Sequence, residues 1–433
     1  MRSRLVFIVA IVAVFMQQPL RAAEQEALTM PAAVSLALER NRDVIAARLD
    51  IRSAELDEIA AGVYPNPVFS YSVDNLPLGR GNPSNAEAGA PVSPSFFSQT
   101  VQSFGISEVI DVWFKRGARM HAAERGTELK KLQVADALRD IVHAVRSAFA
   151  DVVREQGERQ LSHEMRDRYA DTVRLSRARF NAGEISEADF RKIELEGLKY
   201  EQDVVDADSE YDIARQKLAA LVGLSSEADL PQALAEETAE DADVPVDNLV
   251  ERALRDRPDV RAAERARAFA EASMGSARRE ALPDITLGVT YTHSDFLVSG
   301  DNPNSLGLSV SLPIPLFDRN QANIGRSELD LRRAVNDAAR LDITVRREVQ
   351  EAARRVARAK SLIGLFRGGG MLDRADKALK VAEMSYRAGA ISLLELLEAE
   401  RTFLDTRAEY LRSQYDYQQS RIDLSHATGS IAP

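Results

Sequence analysis

"RFNAGEIS" at residues 179–186 and "SYRAGAIS" at residues 385–392 are nearly the same phrase, and each interrupts what otherwise reads as one very long helix. The likeness extends past the phrase. Displaced by about 206 residues, 180–223 lies on 386–429 without a gap, and Ala182, Gly183, Ile185, Ser186, Glu194, Leu198, Tyr211, Arg215, Leu218 and Gly223 all recur. Further upstream, "ALERNRDVIAA" from Ala37 answers "ALRDRPDVRAA" from Ala253. Such self-similarity marks a tandem repeat, one plan used twice. The expected organisation is a signal peptide over 1–23, a first repeat over 24–223, a linker over 224–246, a second repeat over 247–429 and a tail over 430–433.

Each repeat offers the same parts in the same order. A helix over about 30–61, and again over about 247–280, meets a proline stop, "YPNP" from Tyr64 or "LPD" from Leu282, which cannot continue it. Alternation then takes over, placing successive side chains on opposite faces of a strand. Ile285, Leu287, Val289, Tyr291 and His293 oppose Thr286, Gly288, Thr290 and Thr292, while Leu306, Leu308, Val310 and Leu312 oppose Ser305, Gly307, Ser309 and Ser311. In the first repeat Phe69, Tyr71 and Val73 alternate with Ser70, Ser72 and Asp74, and a less regular partner strand follows over 99–110. Two β-hairpins are expected, at about 66–110 and about 284–314, with solvent loops over 76–98 and 294–304.

After each hairpin comes a helix of unusual reach, over about 115–180 and about 320–386, and then a return arm of about 35 residues. At 1.5 Å per residue the outgoing arms extend roughly 100 Å. The return arms carry heptads. Phe190, Ile193, Gly197, Tyr200, Val204, Ala207, Tyr211, Ala214, Leu218 and Leu221 step by three and four, as do Leu396, Ala399, Phe403, Thr406, Tyr410, Ser413, Tyr417, Ser420, Leu424 and Ala427. A sustained 3.5-residue period predicts coiled coil. The triple glycine at 368–370 has no preceding strand and no following Lys-Ser/Thr, so it predicts a local kink instead of a phosphate loop.

Composition narrows the setting. Arg2 and Arg4 precede an apolar run from Leu5 to Met16, the pattern of a secretory leader, and the run is short of the roughly 20 residues a membrane helix needs. No later apolar run reaches that length, so any membrane crossing has to be made by strands. There is no cysteine, hence no disulfide and no thiolate metal site, and the net charge of −11 excludes a nucleic-acid partner. Strands with one apolar face and one Ser/Thr/Gly face suit either a soluble sandwich or a membrane barrel. Four strands are too few for a sandwich, and an open four-stranded sheet in lipid leaves its edge amides unpaired at several kcal/mol each. If these strands span a membrane, several chains must share one barrel.

The two tip phrases followed by heptads, the doubled "ALxxRxDV" and "LPIPLFDRNQANI" from Leu312 resemble the TolC-type outer-membrane efflux proteins, the last phrase being most similar to the heavy-metal (cobalt, zinc, cadmium) branch. The resemblance covers essentially the whole mature chain. It implies a mainly α fold with a small β part, a homotrimer, and one shared transmembrane barrel of about twelve strands, four per chain. Phe69, Tyr71, Val73, Ile285, Leu287, Val289, Tyr291, Leu306, Leu308 and Val310 would face outer-membrane lipid, and the coiled-coil hairpins would form a periplasmic tunnel. The repeated phrases become its far tips, at about 181–186 and about 387–392, where Gly183 and Gly389 allow the turn without a Cβ penalty. Glu395 and Glu398, three apart on one helix face, match family positions that ring the closed periplasmic mouth, although the family pattern has aspartates there. Asp189 and Tyr386 match positions that tie neighbouring hairpins together, while Ile391 stands where a basic partner is expected. Asn181, Glu184, Ser186, Arg387 and Ser392 would meet a periplasmic adaptor protein.

The implied function is a passive exit duct in the outer membrane of a Gram-negative bacterium, fed by the adaptor and an inner-membrane RND-type pump, with heavy-metal cations as the expected cargo. Drugs or other organic compounds are the alternative cargo, and a periplasmic coiled-coil scaffold or adaptor is the alternative from a different class. An enzyme is not expected, nor a cofactor or a bound metal: His121, His143, His163, His293 and His426 are scattered, and none pairs with another at ligand spacing.

Overall fold

The computed structural model describes residues 27–76, 100–226, 229–234, 245–294, 302–368 and 370–430. The expected leader (1–23), nearly all of the loop at 76–98, residues 295–301 of the loop at 294–304, the middle of the 224–246 linker and the end of the tail lie outside the described residues. In chain order the elements are α1 (Met30–Arg40), α2 (Arg42–Ala61), β1 (Val68–Asp74), β2 (Val101–Ile110), α3 (Lys115–Asn181), α4 (Glu187–Leu221), α5 (Val246–Asp256), α6 (Pro258–Glu280), β3 (Ile285–Ser294), β4 (Asn304–Ser311), α7 (Gln321–Gly368), α8 (Met371–Arg387) and α9 (Leu393–Ala427).

The helices expected as single pieces over 30–61 and 247–280 are each two, and the breaks have local causes. Asn41 is extended (φ −60°, ψ 132°), and its Oδ1 accepts the N–H groups of Asp43 at 2.7 Å and Val44 at 3.2 Å, capping α2. Its amide nitrogen donates to the Leu221 carbonyl at 2.7 Å, fastening this corner to the end of α4. Arg257 is also extended (φ −63°, ψ 128°), because the proline ring of residue 258 bars a helical conformation in the residue before it. Pro258 itself fits the first turn of α6, where no N–H is needed.

The four strands form one antiparallel sheet in the order β1-β2-β3-β4, so the two hairpins are joined through β2 and β3. Register sorts the side chains into rows across the sheet. Phe69, Ile106, Val289 and Leu308 make one apolar row, and Tyr71, Phe104, Tyr291 and Leu306 the next. The opposite face carries Ser70, Gly105, Thr290 and Gly307, then Ser72, Ser103, Thr292 and Ser305. The apolar rows are bare: Leu308 is 81% exposed, Leu306 71%, Val310 73% and Phe69 68%. Leu287, Val289 and Tyr291 are exposed as well, while Val73 and Ile285 are half-buried. β1 and β4 are the outer strands, each pairing along one edge only.

Below the sheet, Asp111 caps α3 by accepting the N–H groups of Lys115 at 2.9 Å and Arg116 at 2.8 Å. The Trp113 indole donates to the Pro283 carbonyl at 2.9 Å, which ties the junction between β2 and α3 to that between α6 and β3. α3, with 67 residues and thus roughly 100 Å of length, is the spine, packing against α1, α2, α4, α6 and α9. Heptad positions form the seams: Phe190, Ile193, Tyr200, Val204, Tyr211, Ala214 and Leu218 are buried on α4, as are Leu396, Phe403, Ser413, Tyr417, Ser420 and Ala427 on α9. α7 stops at the triple glycine and α8 starts beyond it, with Gly370 at φ +65°. Among the described residues no helix is long and apolar enough to cross a membrane.

Candidate functional site

Both helical hairpins turn by the same backbone device. At the first tip the Gly183 N–H donates to the Phe180 carbonyl at 2.9 Å and the Glu184 N–H reaches back to the Arg179 carbonyl at 2.9 Å. At the second, Gly389 donates to the Tyr386 carbonyl at 2.9 Å and Ala390 to that of Ser385 at 2.8 Å. This pattern requires a left-handed residue after the helix, and Gly183 (φ +78°) and Gly389 (φ +72°) supply it. A serine opens each return helix: the Ser186 hydroxyl accepts the Asp189 N–H at 3.1 Å, and the Ser392 hydroxyl accepts the Glu395 N–H at 3.3 Å.

Three of the four candidate gate residues, Asp189, Glu395 and Tyr386, have side-chain partners within the chain. Asp189 accepts the Ser186 hydroxyl at 2.7 Å. Glu395 turns back onto its own cap, accepting the Ser392 N–H at 2.8 Å in a reciprocal capping box. That N–H bond, with the serine hydroxyl beside it, holds the Glu395 carboxyl below the usual glutamate range. Glu398 is exposed about one turn further along α9. Tyr386 is 4% exposed, and its hydroxyl shares a hydrogen bond with Ser176 at 3.1 Å. Asn181, Glu184, Ser186, Arg387 and Ser392 are all exposed at the tips.

One residue absent from the sequence-based expectations joins the two tips. Arg179 donates to the Glu184 carboxylate at 3.1 Å on its own tip and to the Tyr386 carbonyl at 3.2 Å on the other, with its guanidinium 5.4 Å from the Tyr386 ring centre. It was overlooked because the repeat has Ser385 at the matching place, so the position carries no repeated signal.

The histidines require a correction. His143 and His426 were expected apart, yet α3 and α9 run side by side and bring their rings to 4.5 Å between centres. The Nε2 atom of His143 lies 2.9 Å from Asp423, and that of His426 lies 2.7 Å from Asp140. The two Nε2 atoms thus serve different carboxylates. Among the described residues no group of three or more His, Cys, Asp or Glu side chains is placed to hold a metal ion.

A profile of the family described as "Outer membrane efflux protein" matches residues 33–224 and again 249–430. The chain belongs to that family. Among the relatives of this efflux protein, the "Cobalt-zinc-cadmium resistance protein CzcC" of Cupriavidus metallidurans is 27% identical over 386 residues, covering 89% of this chain and 86% of the relative. The "Cation efflux system protein CusC" of Escherichia coli is 31% identical over 232 residues, covering 50% of this chain and 49% of the relative. A crystal structure of CusC superposes with a TM-score of 0.74 at 21% identity, covering 92% of each chain. The Campylobacter jejuni CmeC outer membrane channel superposes with a TM-score of 0.76 at 18% identity, covering 93% of this chain and 85% of its own. At those identities the superpositions show a shared fold. The efflux protein is a TolC-type protein of the outer membrane.

Proposed function

We propose that this efflux protein is the passive exit duct of a tripartite efflux system, in which three identical chains close one transmembrane barrel and their hairpins form one periplasmic tunnel. The observation that carries this reading is the bare sheet: β1 and β4 each have an unpaired edge, and the apolar rows ending in Leu306 and Leu308 are exposed. In lipid an unpaired backbone group costs several kcal/mol, so β1 of one copy has to meet β4 of the next. Closure puts the apolar rows against hydrocarbon and the Ser/Thr/Gly rows against water, the division a membrane barrel needs.

At the opposite end the tips are the mouth. Glu395 and Glu398 from every copy bring carboxylates around one axis, and Asp189 and Tyr386 sit where neighbouring hairpins meet. The exposed turn residues Asn181, Glu184, Ser186, Arg387 and Ser392 receive a periplasmic adaptor, which joins the duct to an inner-membrane RND-type pump. The cargo is heavy-metal cations. Support for that class comes from the printed functions of the relatives, cobalt-zinc-cadmium resistance and cation efflux, and from a net charge of −11.

Deletion of the gene followed by a susceptibility panel of divalent metals and hydrophobic drugs tests the cargo, with sensitivity expected to metals. Sensitivity confined to drugs would replace cations by organic compounds. For the mouth, replacing Glu395 and Glu398 together by Gln is expected to weaken block by multivalent cations in single-channel recordings, and unchanged block would remove these carboxylates from the gate.

A further inference from the structure

Glu400 lies about two helical turns into α9, at the level where α3, α4, α8 and α9 share a core. It is 4% exposed, and its Oε2 has no hydrogen-bond partner. The hydroxyl of Tyr169, a residue 1% exposed in the same core, has none either. Facing Glu400 from the surrounding helices are Tyr169 of α3, Glu196 and Tyr200 of α4, and Glu383 of α8. Both charged neighbours are acids. Of the cations on these helices, Lys199 is held by Glu196 at 2.7 Å and Arg168 by Glu164 at 2.6 Å.

The other hairpin supplies the comparison. The residue matching Glu400 is Glu194, which two arginines hold: Arg177 at 3.0 Å and Arg191 at 3.0 Å. At the places matching those arginines the second hairpin has Glu383 and Leu397. It therefore keeps the carboxyl, removes both cations and adds an acid. A carboxylate without a partner in an apolar core is costly to ionise, and such a group holds its proton instead.

We propose that Glu400 is a proton-binding site through which periplasmic pH controls how tightly the two helical hairpins pack near the tip. With the proton on, the side chain is neutral and the four-helix core closes around it. With the proton lost to water, a charge stands opposite Glu196 and Glu383, and the hairpins separate to hydrate it. Burial first, and then Glu383 and Glu196, push its carboxyl up to about 8, so the change falls just above neutrality. Glu383 also borders a cleft of about 160 Å³ with Thr172, Tyr386 and Arg387, which brings solvent to the flank of the site. The separation is a property of the hairpins, and only its meaning as gating rests on the channel reading.

The test uses the full chain assembled in detergent, with spin labels on Asn181→Cys and Ala390→Cys, exposed positions on the two tips of a protein without other cysteines. Distance distributions are recorded between about pH 6 and about pH 9, a range over which the charged fraction of such a group rises at least tenfold. The wild-type background is expected to lengthen and broaden with rising pH, and Glu400→Gln to stay narrow throughout. Glu383→Arg, which restores the partner that Glu194 has, is expected to move the transition down by more than about one pH unit. Wild-type distances that do not change with pH, or a Glu400→Gln protein that changes like wild type, overturn the proposal. A pH-dependent spread in a protein that passes no current upholds this site while removing the channel reading.

Discussion

Ser392 and Glu400 stand eight positions apart in number and are opposites in chemistry, one an exposed hydroxyl with every bond made, the other a buried acid with a bond missing. Loss of the Ser392 cap, in Ser392→Ala, is expected to cost about 1 kcal/mol, visible as roughly fivefold faster amide exchange in the first turn of α9, with Ser392→Asp restoring protection. For Glu400 the sign of the linkage can be stated. Its folded carboxyl titrates near 8 against an ordinary value of 4.5, so between those values the folded chain holds a proton that the unfolded chain has released. Stability from this group is full below about 4.5 and falls as pH rises towards 8. Glu400→Gln is expected to flatten that decline in thermal midpoints, and an unchanged slope would show that the acid is hydrated in solution. Neither property of Glu400 was legible in the sequence. Glu194 and Glu400 are identical letters at matching positions, and only the packing shows that one has two arginines and the other none.

The strands and heptads were legible because their periodicities are the physical cause of the structure: alternation survives as rows across the sheet, and the 3.5-residue spacing survives as buried seams. Helix breaks at Asn41 and Arg257 were missed although both carry local signals, an asparagine cap and a following proline, since the amphipathic pattern runs on through each break. The facing of α3 and α9 could not be read, because His143 and His426 are separated by most of the chain. It has a consequence for acid stability. Burial, then Arg139 and His143, depress the His426 pKa below its ordinary 6.5, so the unfolded chain takes up protons that the folded chain resists. Stability contributed by this seam is present above about 6.5 and is lost as pH falls. His426→Gln is expected to lessen the drop in thermal midpoint between about pH 7 and pH 5; an equal drop would assign the acid response to other groups.

For the molecule as a whole, the two faces of the sheet make unequal demands. Leu308→Lys places a charge in the most exposed apolar row, where a lipid-facing cation costs about 2–4 kcal/mol at mid-membrane, whereas Ser309→Lys lies on the other face. The first is expected to deplete assembled protein from outer-membrane fractions and the second to leave it in place; equal depletion would contradict the assignment of faces. The bare edges of β1 and β4 also carry a genetic implication. In the proposed three-chain barrel, a chain with an intact β1 but a proline-broken β4 can still be recruited by healthy siblings, and the cylinder it enters then has a gap. If recruitment is random among three places, equal expression of both alleles leaves about one assembly in eight sound, so such an allele behaves as a dominant poison and not as a silent loss.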